Sequence, residues 1–402
     1  MMVSPASRPY IDASVPVLRE HGLTITRTFY RNMFDAHPEL TNLFNMGNQA
    51  NGAQQQSLAA AVFAYAANID NADALGPVVN RIVHKHASVG ITAEHYPIVG
   101  RHLIGAIQET LGDAASPPLL AAWDEAYGNL ANLFIEAEKK LYAHAGVTAA
   151  QLHDMRVIER RKESEDVASF TIQAADGQPV PGFKPGQYVS VSVAFDDGRR
   201  QLRQYSLSDA PKADYLRISV KRERAGAETP EGQVSNWLHD NARPGSILQI
   251  THPFGEFMPD TESIAPIVLL SAGVGITPMI SVLNRIAEVN PSRFVIFGHA
   301  ARDHQHHSHQ ADIDAAKALM PKLQTATFYE SAPDAVTSDG SVHTGFMEVS
   351  RLPKWPRSEA NVYMCGPFGF MKAQWLSLVE AGVPVARLHR EVFGPEMLDY
   401  LN

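Results

Sequence analysis

The pattern of apolar residues changes twice along the chain, and this limits the fold more than any other feature. From about residue 11 to residue 143 the apolar residues recur at helical spacing. Breaks fall at Pro38, at Gly76-Pro77, which we predict to open a helix, and at Ser116-Pro117-Pro118. The first part of the chain is therefore predicted to be all α-helical.

Two kinds of strand pattern follow the helical part. Segments with period-two alternation predict an antiparallel β-barrel: 167–172, 188–193 and 215–220. Continuous apolar strands that alternate with helical stretches predict a parallel sheet covered by helices: 266–270, 294–297 and 362–364. We therefore predict a multidomain chain, with an all-α domain at 1–147, an antiparallel β-barrel at 152–262 and an α/β domain at 263–402.

Composition narrows the classes of function. A chain of 402 residues exceeds one ordinary domain, and its 45% hydrophobic and 19% charged content is typical of a globular protein. The net charge of −9 argues against nucleic acid as a partner, and a single cysteine, Cys365, excludes an internal disulfide and a CxxC metal site. No apolar run approaches the roughly 20 residues of a membrane helix, and residues 1–10 lack the apolar core of a signal peptide. We expect a cytoplasmic protein, without stable membrane insertion, that is a monomer.

A glycine-rich turn follows the apolar strand at 266–270. Its residues are Gly273, Val274, Gly275, Ile276, Thr277 and Pro278, and the last two are predicted to start a helix. Glycines let the backbone approach a pyrophosphate, and the helix N-terminus supplies free N–H groups. Because Pro278 stands where a third glycine would complete the usual motif, a plain tight turn remains the alternative.

A second motif occupies the equivalent place after another apolar strand. Cys365, Gly366 and Pro367 precede a predicted helix at 370–380. Since the carboxyl ends of parallel strands meet at one edge, where ligands bind, this motif favours a nucleotide site. A small buried residue at a strand end is the alternative for Cys365.

The predicted barrel carries a group of residues suited to a flavin. Arg203 and Tyr205 share one face of a strand, with Gln204 and Ser206 at the neighbouring positions. A flavin dinucleotide needs a cation for its pyrophosphate, an aromatic surface and hydrogen bonds to its ring. A second helix N-terminus suited to phosphate follows Gly232, Gln233, Val234 and Ser235. The alternative interpretation of residues 203–206 is an ordinary half-exposed edge strand.

One histidine of the helical part faces an apolar stripe. His86 follows Ile82 by four residues on the predicted helix at 77–90, whereas His84 lies about 200° around it and is expected on the outer surface. Such a histidine is either a core residue or a metal ligand. Tyr30 and Gln54 are polar residues on other apolar helix faces, which is costly unless they serve a ligand.

Four ordered motifs give residues 152–402 a resemblance to the ferredoxin–NADP reductase family. The fourth motif is Glu391, Val392, Phe393, Gly394 and Pro395. The resemblance implies an FAD-binding barrel, with Tyr188 and the residues 203–206 around the flavin, and residues 273–278 around NADH or NADPH. Phe393 would lie over the flavin ring; many members have cysteine where this chain has Val392.

Residues 1–147 resemble the globin domain of flavohaemoglobins. Phe44 matches the phenylalanine that wedges the haem, and His86, after Lys85, matches the proximal iron ligand. Tyr96 and Glu138 match the pair around that histidine, where Glu138 is chosen over Glu136 by its spacing from Phe134 and Tyr142. Leu58 would shape access to the haem.

The resemblance implies a nitric oxide dioxygenase that uses NAD(P)H, FAD and haem b to convert NO and O2 to nitrate. Tyr30 and Gln54 would hold the oxygen, and Tyr96 and Glu138 would orient and charge His86. A reductase of peroxides or ferric acceptors, and an oxygen or NO sensor, remain alternatives. The preference between NADH and NADPH, and a lipid in the haem pocket, stay open.

A histidine-rich segment stands apart from these motifs. His304, His306, His307 and His309 lie within six residues, next to Asp303. Histidine clusters bind zinc or nickel, but no carboxylate partner has a clear spacing here. We therefore expect a solvated loop rather than a metal site.

Overall fold

The computed structural model describes residues 3–69, 71–226, 230–331 and 340–395. Within these ranges the chain forms a helical part, an antiparallel sheet of six strands and a parallel sheet of six strands, in that order. In the ranges just given, no helix is both long enough and apolar enough to cross a membrane.

Among the described residues, the first part of the chain contains six α-helices: α1 (Arg8–Ala36), α2 (Met46–Ala50), α3 (Ala53–Ala67), α4 (Ala72–Val89), α5 (His95–Leu111) and α6 (Pro117–Ala145). The side chain of Ser116 caps α6 by accepting the Leu119 N–H, and Gly146 ends it in the left-handed conformation with φ of +69°. The apolar faces of α1, α3, α5 and α6 share one core, which includes Phe29, Met33, Leu103 and Trp123.

The prediction that Gly76-Pro77 opens a helix was wrong. Helix α4 begins at Ala72 and contains Pro77 in its second turn. The fixed φ of proline suits a helix, and only one backbone hydrogen bond is lost there. Leu75, two residues before Pro77 and 4% exposed, packs into the helical core and anchors this first part of the helix.

The antiparallel sheet has the order β4-β3-β6-β1-β2-β5. Its strands are β1 (His153–Lys162), β2 (Val167–Ala174), β3 (Tyr188–Ala194), β4 (Arg200–Ser206), β5 (Leu216–Lys221) and β6 (Ile247–Ile250). A bridge between Leu207 and Ile218 brings the two edge strands together, as expected of a small barrel. Helix α7 (Gln233–Asn241) buries Val234 and Leu238 in the barrel core.

The parallel sheet has the order β10-β9-β8-β7-β11-β12. It contains β7 (Ile267–Ala272), β8 (Val295–Ala301), β9 (Leu323–Tyr329), β10 (Val342–Thr344), β11 (Asn361–Cys365) and β12 (Leu388–Glu391). Helices α8 (Ile276–Val289), α9 (Gln310–Leu319) and α10 (Phe368–Glu380) connect the strands. Because all strands run the same way, the motifs after β7, β11 and β12 meet at one edge of the sheet.

Candidate functional site

A three-residue hydrogen-bond network surrounds His86 on α4. Its Nδ1 lies 2.8 Å from Oε1 of Glu138 and 3.0 Å from the Tyr96 hydroxyl. The same hydroxyl donates to Oε1 of Glu138 at 2.5 Å. Both contacts of the imidazole use Nδ1, so Nε2 stays available as a ligand atom for a haem iron.

Burial and a neighbouring charge act on the Tyr96 hydroxyl of this network. Glu138 is 3% exposed, and burial together with the Glu138 carboxylate raises the pKa of Tyr96, so its hydroxyl remains a donor. The Phe134 ring, 5.7 Å from the imidazole between centroids, packs against His86. The structure thus brings together His86, Tyr96 and Glu138, and Glu136 lies exposed outside the network.

The second polar group of the helical core lies around Tyr30 of α1. Burial raises the pKa of Tyr30 to about 12, and the nearby side chains of Gln54 and Gln49 oppose this effect in part. The ring of Phe44 packs edge-on against Tyr30, with centroids 5.8 Å apart. Leu58 lies half-buried at the edge of the same core.

Gln49 was missed by the sequence analysis. It lies on the five-residue helix α2, is 8% exposed, and accepts a hydrogen bond of 2.8 Å from Gln55. Its Nε2 is buried and hydrogen-bonds no residue in the described part of the chain. Such an orphaned donor beside Tyr30 fits a polar ligand in this pocket. The segment is too short for a periodic pattern, so only its position before the glutamine run 54–56 could have drawn attention to it.

Strands β3 and β4 hold the predicted flavin residues. Tyr188 pairs with Ser206 and Val191 with Arg203, so Tyr188 and Ser206 share one face while Arg203 and Tyr205 share the other. The Ser206 hydroxyl is buried and has no hydrogen-bond partner among the described residues. This orphaned group fits a flavin, whose ring offers acceptors and donors.

Arg203 also fits a flavin dinucleotide. Burial lowers the pKa of its guanidinium, which hydrogen-bonds only the Leu202 carbonyl, at 2.7 Å, within the described residues. A half-buried cation without a carboxylate partner suits a pyrophosphate. Gly232 is the N-cap of α7, which begins one residue later at Gln233 and includes Val234 and Ser235.

The outer face of α4 contacts the barrel and the C-terminal motif. His84 is 8% exposed and accepts the Gly255 N–H at 3.0 Å, so its predicted place on the outer surface was wrong. Ser88 accepts a hydrogen bond of 2.8 Å from Gln204 of β4, and Lys85 donates to the Gly394 carbonyl. The polar stripe of α4 therefore packs on a second domain rather than in water.

The glycine turn after β7 is tightly constrained. Gly273 has a φ of +53°, and a Cβ on Gly275 would lie 2.3 Å from the Cys365 carbonyl oxygen. Helix α8 begins at Ile276, with Thr277 and Pro278 in its first turn, as predicted. The turn and the Cys365-Gly366-Pro367 motif are thus in contact, and the bare backbone leaves an approach to a pyrophosphate.

Replacing Gly275 with alanine is expected to weaken nicotinamide binding. The added methyl group must push the turn away from Cys365, and overpacking of this kind costs about 1–3 kcal/mol. We expect a dissociation constant for NADH at least roughly tenfold higher, by titration of the purified protein. Gly369→Ala is the matched control, because nothing lies within 4 Å of its added Cβ; equal affinities in the two variants would contradict the assignment.

The C-terminal motif completes the edge of the parallel sheet. Cys365 pairs with Glu391 between β11 and β12, and burial, with the charge of Glu391, raises the pKa of the Cys365 thiol. Val392 packs against the apolar core of the domain, so a valine fits this position. Phe393 is 46% exposed, which leaves an aromatic surface free to cover a flavin ring.

The predicted solvated histidine loop was wrong for two of its four histidines. His307 and His309 are 6% and 0% exposed, whereas His304 is exposed and His306 half-exposed. His307 packs against His299 at 4.5 Å between ring centroids, and His309 contacts Asp312 at 2.9 Å. The barrel covers this segment, and the sequence of the segment itself gives no sign of that contact.

Comparisons with known proteins follow the same three parts. Family models match residues 27–134 as a globin, 154–258 as an oxidoreductase FAD-binding domain and 269–375 as an oxidoreductase NAD-binding domain. A flavohemoprotein of Rhizobium meliloti (strain 1021) is 43% identical over 402 residues, covering 98% of this chain and 99% of that protein. The chain belongs to the flavohaemoprotein family. Its predicted fold class and its cofactors, haem, FAD and a nicotinamide dinucleotide, are confirmed.

Solved structures agree with the family. The flavohemoglobin from Malassezia yamatoensis, with bound FAD and heme, superposes with a TM-score of 0.86 at 28% identity, over 97% of this chain and 99% of that one. The FAD/NAD binding domain of nitric oxide dioxygenase from Vibrio cholerae is 35% identical, with a TM-score of 0.56, over 60% of this chain and 99% of that one.

Proposed function

We propose that this flavohaemoprotein is a nitric oxide dioxygenase that converts NO and O2 to nitrate with electrons from NADH or NADPH. The observation that carries the proposal is the position of α4. One side of this helix holds His86 in its network with Glu138, and the other side contacts the flavin strand through Ser88 and the C-terminal motif through Lys85. One helix thus connects a haem site with a flavin site.

When bound, the nicotinamide supplies hydride, FAD divides it into single electrons, and haem supplies the iron at which O2 and NO react. The chain orients these groups. His86 would offer Nε2 to the iron, because Glu138 and Tyr96 already contact its Nδ1. Tyr30 and Gln54 would donate hydrogen bonds to a polar ligand in the pocket, while Phe44, which packs on Tyr30, and Leu58 would exclude water.

The residues of the barrel and of the parallel-sheet domain would bind the two dinucleotides. Arg203 would neutralise the flavin pyrophosphate, and Tyr188, Gln204, Tyr205 and Ser206 would line the ring. The N-terminus of α7, from Gly232 to Ser235, would bind a phosphate. Residues 273–278 and 365–367 would hold the nicotinamide dinucleotide, and the exposed ring of Phe393, near Glu391, would cover the flavin ring.

Replacing Glu138 with glutamine is expected to lower turnover of NO by about tenfold to a hundredfold, the usual effect of losing a carboxylate behind a metal-bound histidine. The amide keeps the shape but removes the negative charge that makes His86 electron-rich. Turnover is measured as NO consumption with a saturating nicotinamide. Glu136→Gln is the matched control, because this exposed carboxylate lies two residues away on the same helix; equal losses would contradict the role of Glu138.

The stoichiometry of the reaction tests the proposal. Nitrate contains the atoms of one NO and one O2 and needs one electron, and a hydride carries two electrons. We therefore expect two NO and two O2 consumed, and two nitrates formed, for each NADH. Oxidation of NADH that continues unchanged without NO, with peroxide or ferric ions as acceptors, would instead indicate a general reductase, and absence of turnover would indicate a sensor.

The remaining features of the proposal concern the whole chain. We propose domain boundaries near residues 150 and 262, consistent with the end of α6 at Ala145 and the start of β7 at Ile267. We further propose that the protein works as a monomer in the cytoplasm, with no partner except its small substrates.

A further inference from the structure

A buried polar cluster connects the barrel with the nicotinamide domain. Its centre is Asp312 of α9, whose side chain is 10% exposed. Oδ1 accepts hydrogen bonds from Arg217 at 2.8 Å and Asn284 at 3.2 Å, and Oδ2 lies 3.1 Å from Arg161 and 2.9 Å from His309. Two of these partners, Arg161 and Arg217, belong to barrel strands, so one carboxylate holds both domains.

His309 makes the second connection. Its Nε2 contacts the Ser219 hydroxyl of β5 at 3.0 Å while its Nδ1 contacts Asp312. The residue is fully buried and adopts the left-handed conformation with φ of 60°, which is uncommon for residues other than glycine. The fold therefore keeps a strained backbone here in order to place this ring between two domains.

The cluster reaches the elements that carry the two cofactor sites. Asp209 follows the flavin strand β4 by three residues, and its side chain accepts a hydrogen bond of 2.8 Å from Asn284 of α8. Its carbonyl accepts one of 2.7 Å from Ser281, on the same helix. Helix α8 starts at the glycine turn of the nicotinamide site, so the cluster joins the segment after the flavin strand to the dinucleotide helix. We call Asp209, Arg217, Ser219, Asn284, His309 and Asp312 the interdomain joint.

The joint is not suited to a metal ion, although Glu163, His309 and Asp312 bring three ligand atoms within 4.8 Å of one another. Both carboxylates already have guanidinium partners, because Arg161 lies 2.7 Å from Glu163 and Arg217 lies 2.8 Å from Asp312. Burial alone would raise the pKa of Asp312, but His309 and Arg217 outweigh it and hold the pKa well below its usual range. The two carboxylates Glu163 and Asp312 are thus neutralised by two guanidinium groups without a cation.

We propose that Asp312 and His309 are positioning residues for hydride transfer, which fix the nicotinamide domain against the flavin barrel. The inference rests on the proposed flavin and nicotinamide sites, but not on NO as the substrate. Hydride transfer depends steeply on the distance between donor and acceptor, and a displacement of about 1 Å can slow a reaction by about a hundredfold. A joint with buried, directional bonds on both sides supplies the required rigidity.

The test compares Asp312→Asn and His309→Asn with the unaltered holoenzyme, without O2 and NO. Rapid mixing with NADH gives the rate of flavin bleaching, and NADH deuterated at the transferred position gives its isotope effect. We expect flavin reduction at least about tenfold slower, with a larger isotope effect. Hydrogen exchange is expected to become faster in peptides that contain Ser208 and Ile313, whose amides bond to Arg217 and His309. Asparagine tolerates the left-handed backbone, so His309→Asn keeps the fold even if Asp312→Asn does not.

Two further variants separate positioning from general damage. Asp312→Glu keeps the charge and is expected to recover most of the rate. Asp314→Asn is the matched control on α9, because this carboxylate is 74% exposed and lies 3.8 Å from the exposed Lys317. Unchanged flavin reduction and isotope effect in both joint variants, or faster exchange without slower hydride transfer, would overturn the proposal. Because NO is absent, neither result depends on the dioxygenase activity.

Discussion

Replacing His86 with alanine is expected to abolish the haem absorbance of the purified protein while FAD remains bound. His86 offers the one imidazole of α4 whose Nδ1 is held by Tyr96 and Glu138, and alanine leaves the iron without a protein ligand on that side. The flavin residues lie on β3 and β4, which contact the other side of the helix. The measurement is the ratio of Soret to protein absorbance, with FAD released by denaturation and quantified by fluorescence.

His84→Ala is the matched control for this experiment. His84 stands two residues earlier on the same helix, but its ring accepts the Gly255 N–H of the barrel side instead of facing the helical core. This variant is expected to retain haem. A normal haem spectrum in His86→Ala would show that another residue binds the iron, and the assignment of the proximal network would fail.

Replacing Tyr30 with phenylalanine is expected to speed dissociation of O2 from the ferrous haem by about tenfold or more. Bound O2 carries partial negative charge, and a hydrogen bond to a charged acceptor contributes about 1.5–3 kcal/mol. Burial raises the pKa of Tyr30 to about 12, so its hydroxyl is protonated below that pH and its contribution is lost only as the pH rises through it. The off-rate of the unaltered protein should therefore be independent of pH around neutrality, as measured by laser photolysis or by rapid mixing with CO.

Tyr65→Phe is the control for the loss of a buried hydroxyl. The Tyr65 hydroxyl lies in the same core and donates instead to the Ala126 carbonyl at 2.9 Å. Its removal is expected to reduce stability and to leave the off-rate unchanged. An equal off-rate in Tyr30→Phe and the unaltered protein would exclude Tyr30 as the donor.

Features with a local sequence pattern could be predicted from the sequence alone. Period-two alternation predicted β2, β3 and β5, and continuous apolar runs predicted β7, β8 and β11. The glycine turn and the cysteine motif were expected at one sheet edge, and the structure brings Gly275 against Cys365. The apolar stripe of α4 also indicated that His86 points inward, because an apolar stripe marks the helix face that packs on its own domain.

Features that depend on another domain could not be predicted in this way. The polar face of a helix is normally exposed to water, so His84 was expected on the surface. The barrel covers it instead. His307 and His309 lie in a polar segment without periodicity, and they are buried because the barrel and α9 close over them.

Gln49 could not be predicted for a different reason. It belongs to a helix of five residues, which is too short to show which side faces the pocket.

The most direct test of the central claim is the absorbance of the purified protein in air-equilibrated buffer during addition of NADH and then NO. The account predicts a Soret band with flavin shoulders, a shift to an oxygenated haem spectrum after NADH, and NO consumption matched by nitrate. Flavin absorbance without a Soret band, or an oxygenated haem that leaves added NO unconsumed, would contradict it.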